Sequence, residues 1–297
     1  MHREVAEQIL PDGGHYERSP VYHLVVLRDL LEMHALAPAA VPADVLDRMR
    51  RFASALARPD GAPALFNDGG LELAPALELP VAGDGLEVFP ETGYAVLRRG
   101  PLWLAFDCGA PAPAFLPAHA HADALSFQLW WDGEPVVVDP GTYTYEPGAE
   151  RDWFRGTEAH STLAVDGLDQ FRLWGAFRSG PLPQVELLQA RPERLEARAT
   201  WGPVRHTRTI ELGLAGQVTI TDAVEGEGEH ELSSSLPLGS VEASISAVGP
   251  LEATSEARYV SERFFERVEG TALVQRGRLR LPATIGWQIL LPPAGPR

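Results

Sequence analysis

The feature that most constrains this chain is a change of hydrophobic period near residue 60. Before it, apolar residues recur every three to four positions; after it, they alternate or come in short runs broken by Gly, Pro and Asp-Gly turns. A chain of 297 residues with that switch joins a helical segment to an extensive β region, and does not build repeated strand–helix units. Val5, Ile9 and Leu10 form a first stripe that stops at Pro11-Asp12-Gly13-Gly14. Tyr22, Leu24, Val25, Leu27, Leu30 and Leu31 form a second, with Ser19 as N-cap and Pro20 as the first helical residue. A third follows Pro42-Ala43-Asp44 through Val45, Leu46, Met49, Phe52 and Leu56. Short helices depend on tertiary packing, and these have few partners of their own. They read as a piece of a larger helical array and are expected to be the weakest part of the fold.

Beyond Asp60-Gly61, Tyr94–Arg99 and residues 102–106 read as strands paired around Gly100-Pro101. Further strands are expected at 127–131, 136–138, 162–165, 195–200, 206–212 and 218–221. Asp132-Gly133, Asp166-Gly167, Leu214-Ala215-Gly216 and Arg276-Gly277-Arg278 punctuate them, and 225–231 reads as a solvated hairpin tip. No helix is expected to interrupt this run. The fold class is therefore mainly β: a helical segment over 1–60, a linker over 61–85, and a large antiparallel β-sandwich over 86–297.

Charge and cysteine content narrow the function. Asp and Glu number 41 against 25 basic residues, all Arg, for a net charge of −16. That balance excludes the clustered positive charge needed to hold nucleic acid. No apolar run approaches the roughly 20 residues that span a bilayer, and Met1-His2-Arg3-Glu4-Val5-Ala6-Glu7 lacks the apolar core of a secretory signal. Cys108 is the only cysteine, which excludes an internal disulfide framework and a four-Cys zinc site.

Chemistry-bearing residues concentrate in two blocks. One comprises His119-Ala120-His121-Ala122-Asp123, then Val136-Val137-Val138-Asp139-Pro140-Gly141, then Ala159-His160-Ser161-Thr162. In extended chain His119 and His121 share a face. Imidazoles with a strand-end carboxylate are ligand types zinc takes. Against this stands a chance H-x-H pair beside an ordinary Asp-Pro-Gly turn. The other block, residues 8–23, gathers Tyr, His, Glu and Arg around a glycine turn and a helix start. A plain helix–helix connection explains its Gly, Ser and Pro equally well.

Taken in order, QILPDGGHYERSPVYH, HAHADALSFQLWWDGEPVVVDPGTYTY and FRGTEAHSTLAVDG resemble the heparinase II/III-like family of polysaccharide lyases over most of the chain. The resemblance implies an (α/α) toroid followed by an antiparallel β-sandwich. It also implies β-elimination on a uronate-containing polysaccharide, with Tyr22 as acid/base tyrosine and His119 as catalytic histidine. His121, Asp139 and His160 would be zinc ligands, the metal holding the His119 loop in place more than acting as a Lewis acid. Tyr143 or Tyr145 lines the site on this view, and spacing does not choose between them. Arg18 and Arg155 suit forked contacts to a sugar carboxylate or structural ion pairs, and both readings stand.

Lyases of the family carry most of a toroid ahead of the block that begins here near Gln8. Three accounts are open: the C-terminal part of a longer protein, a short paralogue that binds sugar without cleaving it, or a half-site completed by another chain; a homo-oligomer is a separate partner expectation. The first is favoured, because Met1 falls inside what reads as a continuous helix. Family members are often periplasmic or secreted. The acidic total charge argues against a highly sulfated glycan. The alternative function is a non-catalytic carbohydrate-binding or structural sandwich. A glycoside hydrolase would need a positioned carboxylate pair, which the sequence does not single out.

Overall fold

Three helices open the chain: α1 (His2–Gln8), α2 (Pro20–Leu36) and α3 (Ala43–Ala55). The computed structural model describes residues 2–213 and 216–295, so Met1 and the Leu214-Ala215 part of one expected turn lie outside it. Ser19 is extended and its hydroxyl accepts the Tyr22 amide at 3.2 Å, capping α2 with Pro20 in the first turn. Val5, Ile9, Leu24, Leu27, Leu30, Leu46 and Met49 form one core, covered further by Ala74, Leu77 and Leu79. The helical stripes thus pack on one another and on a segment beyond them. Part of that cover comes from the stretch read as a linker.

His23 pins this bundle. Its Nε2 donates to the Met49 carbonyl at 3.0 Å, while its Nδ1 accepts the His15 amide at 3.2 Å. Burial, which disfavours the charged ring, lowers it to about 4 from an ordinary 6.5. A group whose folded value is depressed contributes stability that is present above its unfolded value and lost as pH falls through the folded one. Stability should therefore fall by about 2–3 kcal/mol between about pH 7 and pH 4 from this group alone. Urea unfolding at both pH values should show the fall, and His23→Asn should remove that share of it.

The strands are β1 (Gly85–Phe89), β2 (Tyr94–Arg99), β3 (Leu102–Asp107), β4 (Phe127–Trp131) and β5 (Glu134–Val137), then helix α4 (Ala149–Arg155). They continue with β6 (Leu163–Val165), β7 (Leu173–Trp174), β8 (Arg178–Ser179), β9 (Gln184–Arg191), β10 (Arg194–Trp201), β11 (Val204–Leu212) and β12 (Gln217–Glu225). The chain ends with β13 (Glu229–Pro237), β14 (Ser244–Val248), β15 (Ala253–Arg263), β16 (Glu266–Arg280) and β17 (Ala283–Leu290). Strands β1 to β5 form one antiparallel sheet in chain order; a second runs β14-β17-β12-β11-β10-β9, and a third β15-β16-β13-β6.

Side-chain patterning explains the layers. In β2 and β3 nearly every residue is buried, because the first sheet is covered on both faces. Tyr94, Val96, Trp103 and Ala105 face Phe52, Leu56 and Phe66 of the helical side. Ala95, Leu97, Leu104 and Phe106 face Ile210, Ile220 and Trp287 of the six-stranded sheet. Strand β12 alternates instead, with Val218, Ile220, Asp222 and Val224 all turned inward. The same inner face meets the third sheet through Val224, Ile285, Leu163 and Leu232. A bridge between Val137 and Leu238 joins the first and third sheets into one layer. The result is the expected antiparallel sandwich behind a helical segment.

Three local expectations need correction. Helix α4 does interrupt the strands; at seven residues it is too short to show a period. Residues 225–231 are not a hairpin tip, since β12 pairs with β11 and β17 whereas β13 pairs with β16 and β6, so the chain crosses between sheets there. Arg276-Gly277-Arg278 lies inside β16, where Gly277 leaves room for the Leu251 side chain; an added Cβ would stand 2.6 Å from it.

Candidate active site

The site forms where the start of α2, the turn after α3 and the loops leaving β3 and β5 converge. Asn67 takes φ 60°, a left-handed conformation that Asn tolerates. Its amide donates to the carbonyls of Arg18 and Pro111, and its Oδ1 accepts the His121 amide at 2.9 Å. The Asp68 amide donates to the His119 carbonyl at 3.1 Å, and Ser19 Oγ donates to the Asp68 carbonyl at 2.6 Å. The α2 N-terminus, the 66–69 turn and the H-x-H pair are thus one hydrogen-bonded unit. Gly141 (φ +74°) holds the remaining loop close: its amide donates to Asp139 Oδ1, and a Cβ there would lie 2.1 Å from the Ser261 carbonyl oxygen.

Tyr22 and His119 come together, ring centroids 4.5 Å apart, and the Tyr22 hydroxyl is 2.7 Å from that of Tyr145. His119 donates from Nδ1 to Asp68 Oδ2 at 3.1 Å, leaving Nε2 directed toward Glu17 at 4.0 Å. Phe177, 42% exposed, stands edge-on to both His119 and Tyr145 at the rim. Burial, with Asp68 and Glu17 nearby, raises the Tyr22 phenol above its usual value, so it carries its proton at neutral pH.

Behind His119 lies a buried donor cluster. His160 donates from Nδ1 to the Gly156 carbonyl at 2.8 Å, which leaves Nε2 bare. His121 donates from Nε2 to Asp68 Oδ1 at 3.0 Å, which leaves Nδ1 bare. These two lone pairs face each other at 3.2 Å with no proton between them. Burial keeps both rings neutral, lowering His121 to about 4 and His160 to about 3. Asp123, fully buried, has no hydrogen-bond partner on either carboxylate oxygen, and its ligand atoms with those of His121 and His160 lie within 4.8 Å of one another. Asp139 Oδ2 is 3.9 Å from His160 Nε2. Burial pushes Asp123 up to about 7 and raises Asp139 well above the carboxylate range. Two opposed lone pairs beside the unpartnered Asp123 carboxylate, with Asp139 Oδ2 close by, suit a cation. Nitrogens on a tetrahedral zinc would stand about 3.3 Å apart at ordinary bond lengths.

The structure redistributes the other residues singled out from sequence. Of the two candidate tyrosines, Tyr145 joins the Tyr22–His119 group, whereas Tyr143 stacks on Phe154 and lies under Arg267. Arg155 is fully buried and spends its guanidinium on the carbonyls of Ala120, Gly175 and Ala176. Arg18 donates to the Ala110 carbonyl at 2.5 Å. Arg18 Nε and Arg155 Nη2 have no partner. Among the described residues neither arginine forms a salt bridge, which corrects the ion-pair reading, and burial of Arg155 removes it from contact with a ligand at the surface. Asp68, Asn67 and Arg151 went unread because the Asn-Asp-Gly-Gly run looks like a connection. Asp123 had a legible signal: 119, 121 and 123 alternate onto one face.

The family described as "Heparinase II/III-like, C-terminal" matches residues 82–284, and "Heparinase II/III N-terminus" matches residues 1–94. The chain belongs to the heparinase II/III-like family. It is 27% identical over 222 residues to a heparin-sulfate lyase of Bacteroides thetaiotaomicron, covering 56% of this chain and 32% of that protein. It is 28% identical over 303 residues to FtsZ-localized protein C of Caulobacter vibrioides, covering 94% and 50%. The solved heparan sulfate lyase HepC from Pedobacter heparinus shares the fold, with a TM-score of 0.80 at 17% identity over 99% of this chain and 55% of that one. The match to this chain thus spans 32% and 50% of the length of these two curated relatives.

Proposed function

We propose that this chain is the sandwich-bearing part of a polysaccharide lyase that cleaves a uronate-containing glycan by β-elimination. The observation that carries the proposal is the Tyr22–His119 pair at one opening, with His119 Nε2 left free by the Asp68 contact. His119 Nε2 takes the proton from C5. The released electron pair forms the C4–C5 double bond, the C4–O bond breaks, and the departing oxygen takes the Tyr22 proton. Such elimination requires the sugar carboxylate to be neutralised; Arg155 is fully buried against backbone carbonyls, and Arg18 has one Nη on the Ala110 carbonyl. We assign that task to a group from outside this chain, in keeping with the greater length of the relatives. Zinc, held by His121, His160 and one or both of Asp123 and Asp139, would fix the segment that carries His119.

A second reading is a sugar-binding sandwich without catalysis; the relative aligned along 94% of the chain is named for localisation with FtsZ and not for lyase activity. Product analysis on uronate glycans separates the readings. A lyase gives unsaturated ends, a hydrolase only reducing ends, and a binder retains the glycan intact. The donor set has its own test. Asp123→Asn should lower zinc affinity about 10–100-fold, the size seen when a group supporting a metal site is lost. Metal titration giving Asp123→Asn unchanged affinity and Asp139→Asn a large loss would assign the carboxylate ligand to Asp139 alone.

A further inference from the structure

Asp68 sits at the centre of the site and belongs to neither the acid/base pair nor the donor cluster. It is fully buried, and all four of its side-chain contacts are charge-assisted or to imidazole. Oδ2 accepts from His119 Nδ1 at 3.1 Å and from Arg151 Nη2 at 2.6 Å. Oδ1 accepts from His121 Nε2 at 3.0 Å and from Arg151 Nη1. The Arg151 fork meets both oxygens, the contact geometry of a carboxylate. An ionised carboxylate only accepts, so every nitrogen facing it must carry hydrogen. The two histidines meet it through different nitrogens.

From this we infer that Asp68 is a positioning residue that assigns opposite tautomers to the two histidines of the H-x-H pair. With Nδ1 protonated, His119 offers Nε2 to the opening. With Nε2 protonated, His121 offers Nδ1 to His160 and Asp123. One carboxylate thereby sets one ring as a base and the other as a ligand, although they lie two residues apart on the same face. Arg151 fixes the carboxylate plane: its fork spans both oxygens, its Nε donates to the Ala176 carbonyl at 3.0 Å, and its guanidinium lies 5.0 Å from the Tyr145 ring centroid and 5.6 Å from that of Phe177. The inference rests on the lyase reading only for the role of His119; the tautomer assignment stands on the hydrogen bonds.

Asp68→Asn keeps the volume but replaces one accepting oxygen with a donor, so one imidazole must turn over or lose its partner. In the full chain, long-range proton–nitrogen correlation spectra of the imidazoles should show His119 protonated at Nδ1 and His121 at Nε2. In Asp68→Asn at least one of the two should change tautomer. Zinc affinity should fall about 10–100-fold, and if the chain turns over glycan, kcat should fall at least about 100-fold with KM within about threefold. Arg151→Lys keeps Asp68 and its charge partner, so it should retain both tautomers; it supplies the comparison should Asp68→Asn fail to fold. Unchanged tautomers in Asp68→Asn, or wild-type rings of the opposite tautomer, would overturn the inference. A wild-type chain with the stated tautomers and no unsaturated product would instead count against the lyase reading and leave Asp68's role in place.

Discussion

Arg208→Met is expected to destabilise the protein by about 3–5 kcal/mol, enough to remove a large share of an ordinary domain's stability. Arg208 on β11 is fully buried in the sandwich, between the apolar ends of the six-stranded sheet's inner face. Its Nε and Nη2 donate to Asp222 at 2.7 and 2.8 Å, and His206 Nε2 reaches the same carboxylate at 2.7 Å. Burial would raise Asp222, but Arg208 and His206 hold it well below the carboxylate range. Removing the guanidinium leaves a charge in the core with one neutral partner, the costly case for a buried pair. Nη1 also donates to the carbonyls of Leu125 and Ser161, neighbours of the Asp123 and His160 segments. Zinc binding should therefore weaken as well. Urea unfolding measures the first effect, and Arg208→Met with Asp222→Leu should recover much of it, since apolar replacement of both partners is often neutral. A loss under about 1 kcal/mol in Arg208→Met would show that the pair contributes little.

Much of this architecture was legible because period and punctuation report burial directly. Ser19-Pro20 marks the α2 start, and the continuous runs Tyr94-Ala95-Val96-Leu97 and Leu102-Trp103-Leu104-Ala105-Phe106 became strands covered on both faces. What stayed hidden depends on contacts distant in sequence. Asp68 meets Arg151 across 83 positions, and Arg58 meets Glu262 across 204. No local pattern announces either. Gly277 reads as a turn locally, yet packing against Leu251 makes it a strand residue. Arg155 looked like an anion fork because sequence shows its charge; only the fold shows three carbonyls surrounding it.

If this chain, or a longer protein that contains it, cleaves a uronate glycan, Tyr22→Phe and His119→Ala should each lower turnover about 100- to 10,000-fold while leaving the fold intact. Phe keeps the ring that packs 4.5 Å from His119, so lost packing does not account for a lost rate. What disappears is the hydroxyl proposed to protonate the departing oxygen, which meets Tyr145 at 2.7 Å. The corresponding barrier increase is about 3–5 kcal/mol. Initial rates of unsaturated-product formation, compared with wild type under the same conditions, measure it. Activity close to wild type in Tyr22→Phe would reject the proton path drawn here.

The most direct measurement is the zinc content of two dialysed variants, His119→Ala and His121→Ala. The two rings lie two residues apart and share one carboxylate, yet they are assigned different work. His119→Ala should retain about one zinc per chain, because its Nε2 faces the opening and its Nδ1 faces Asp68. His121→Ala should lose the metal and, with it, the stabilisation that binding to the folded state provides. Equal loss of zinc from both variants, or full retention by His121→Ala, would contradict this division of the pair.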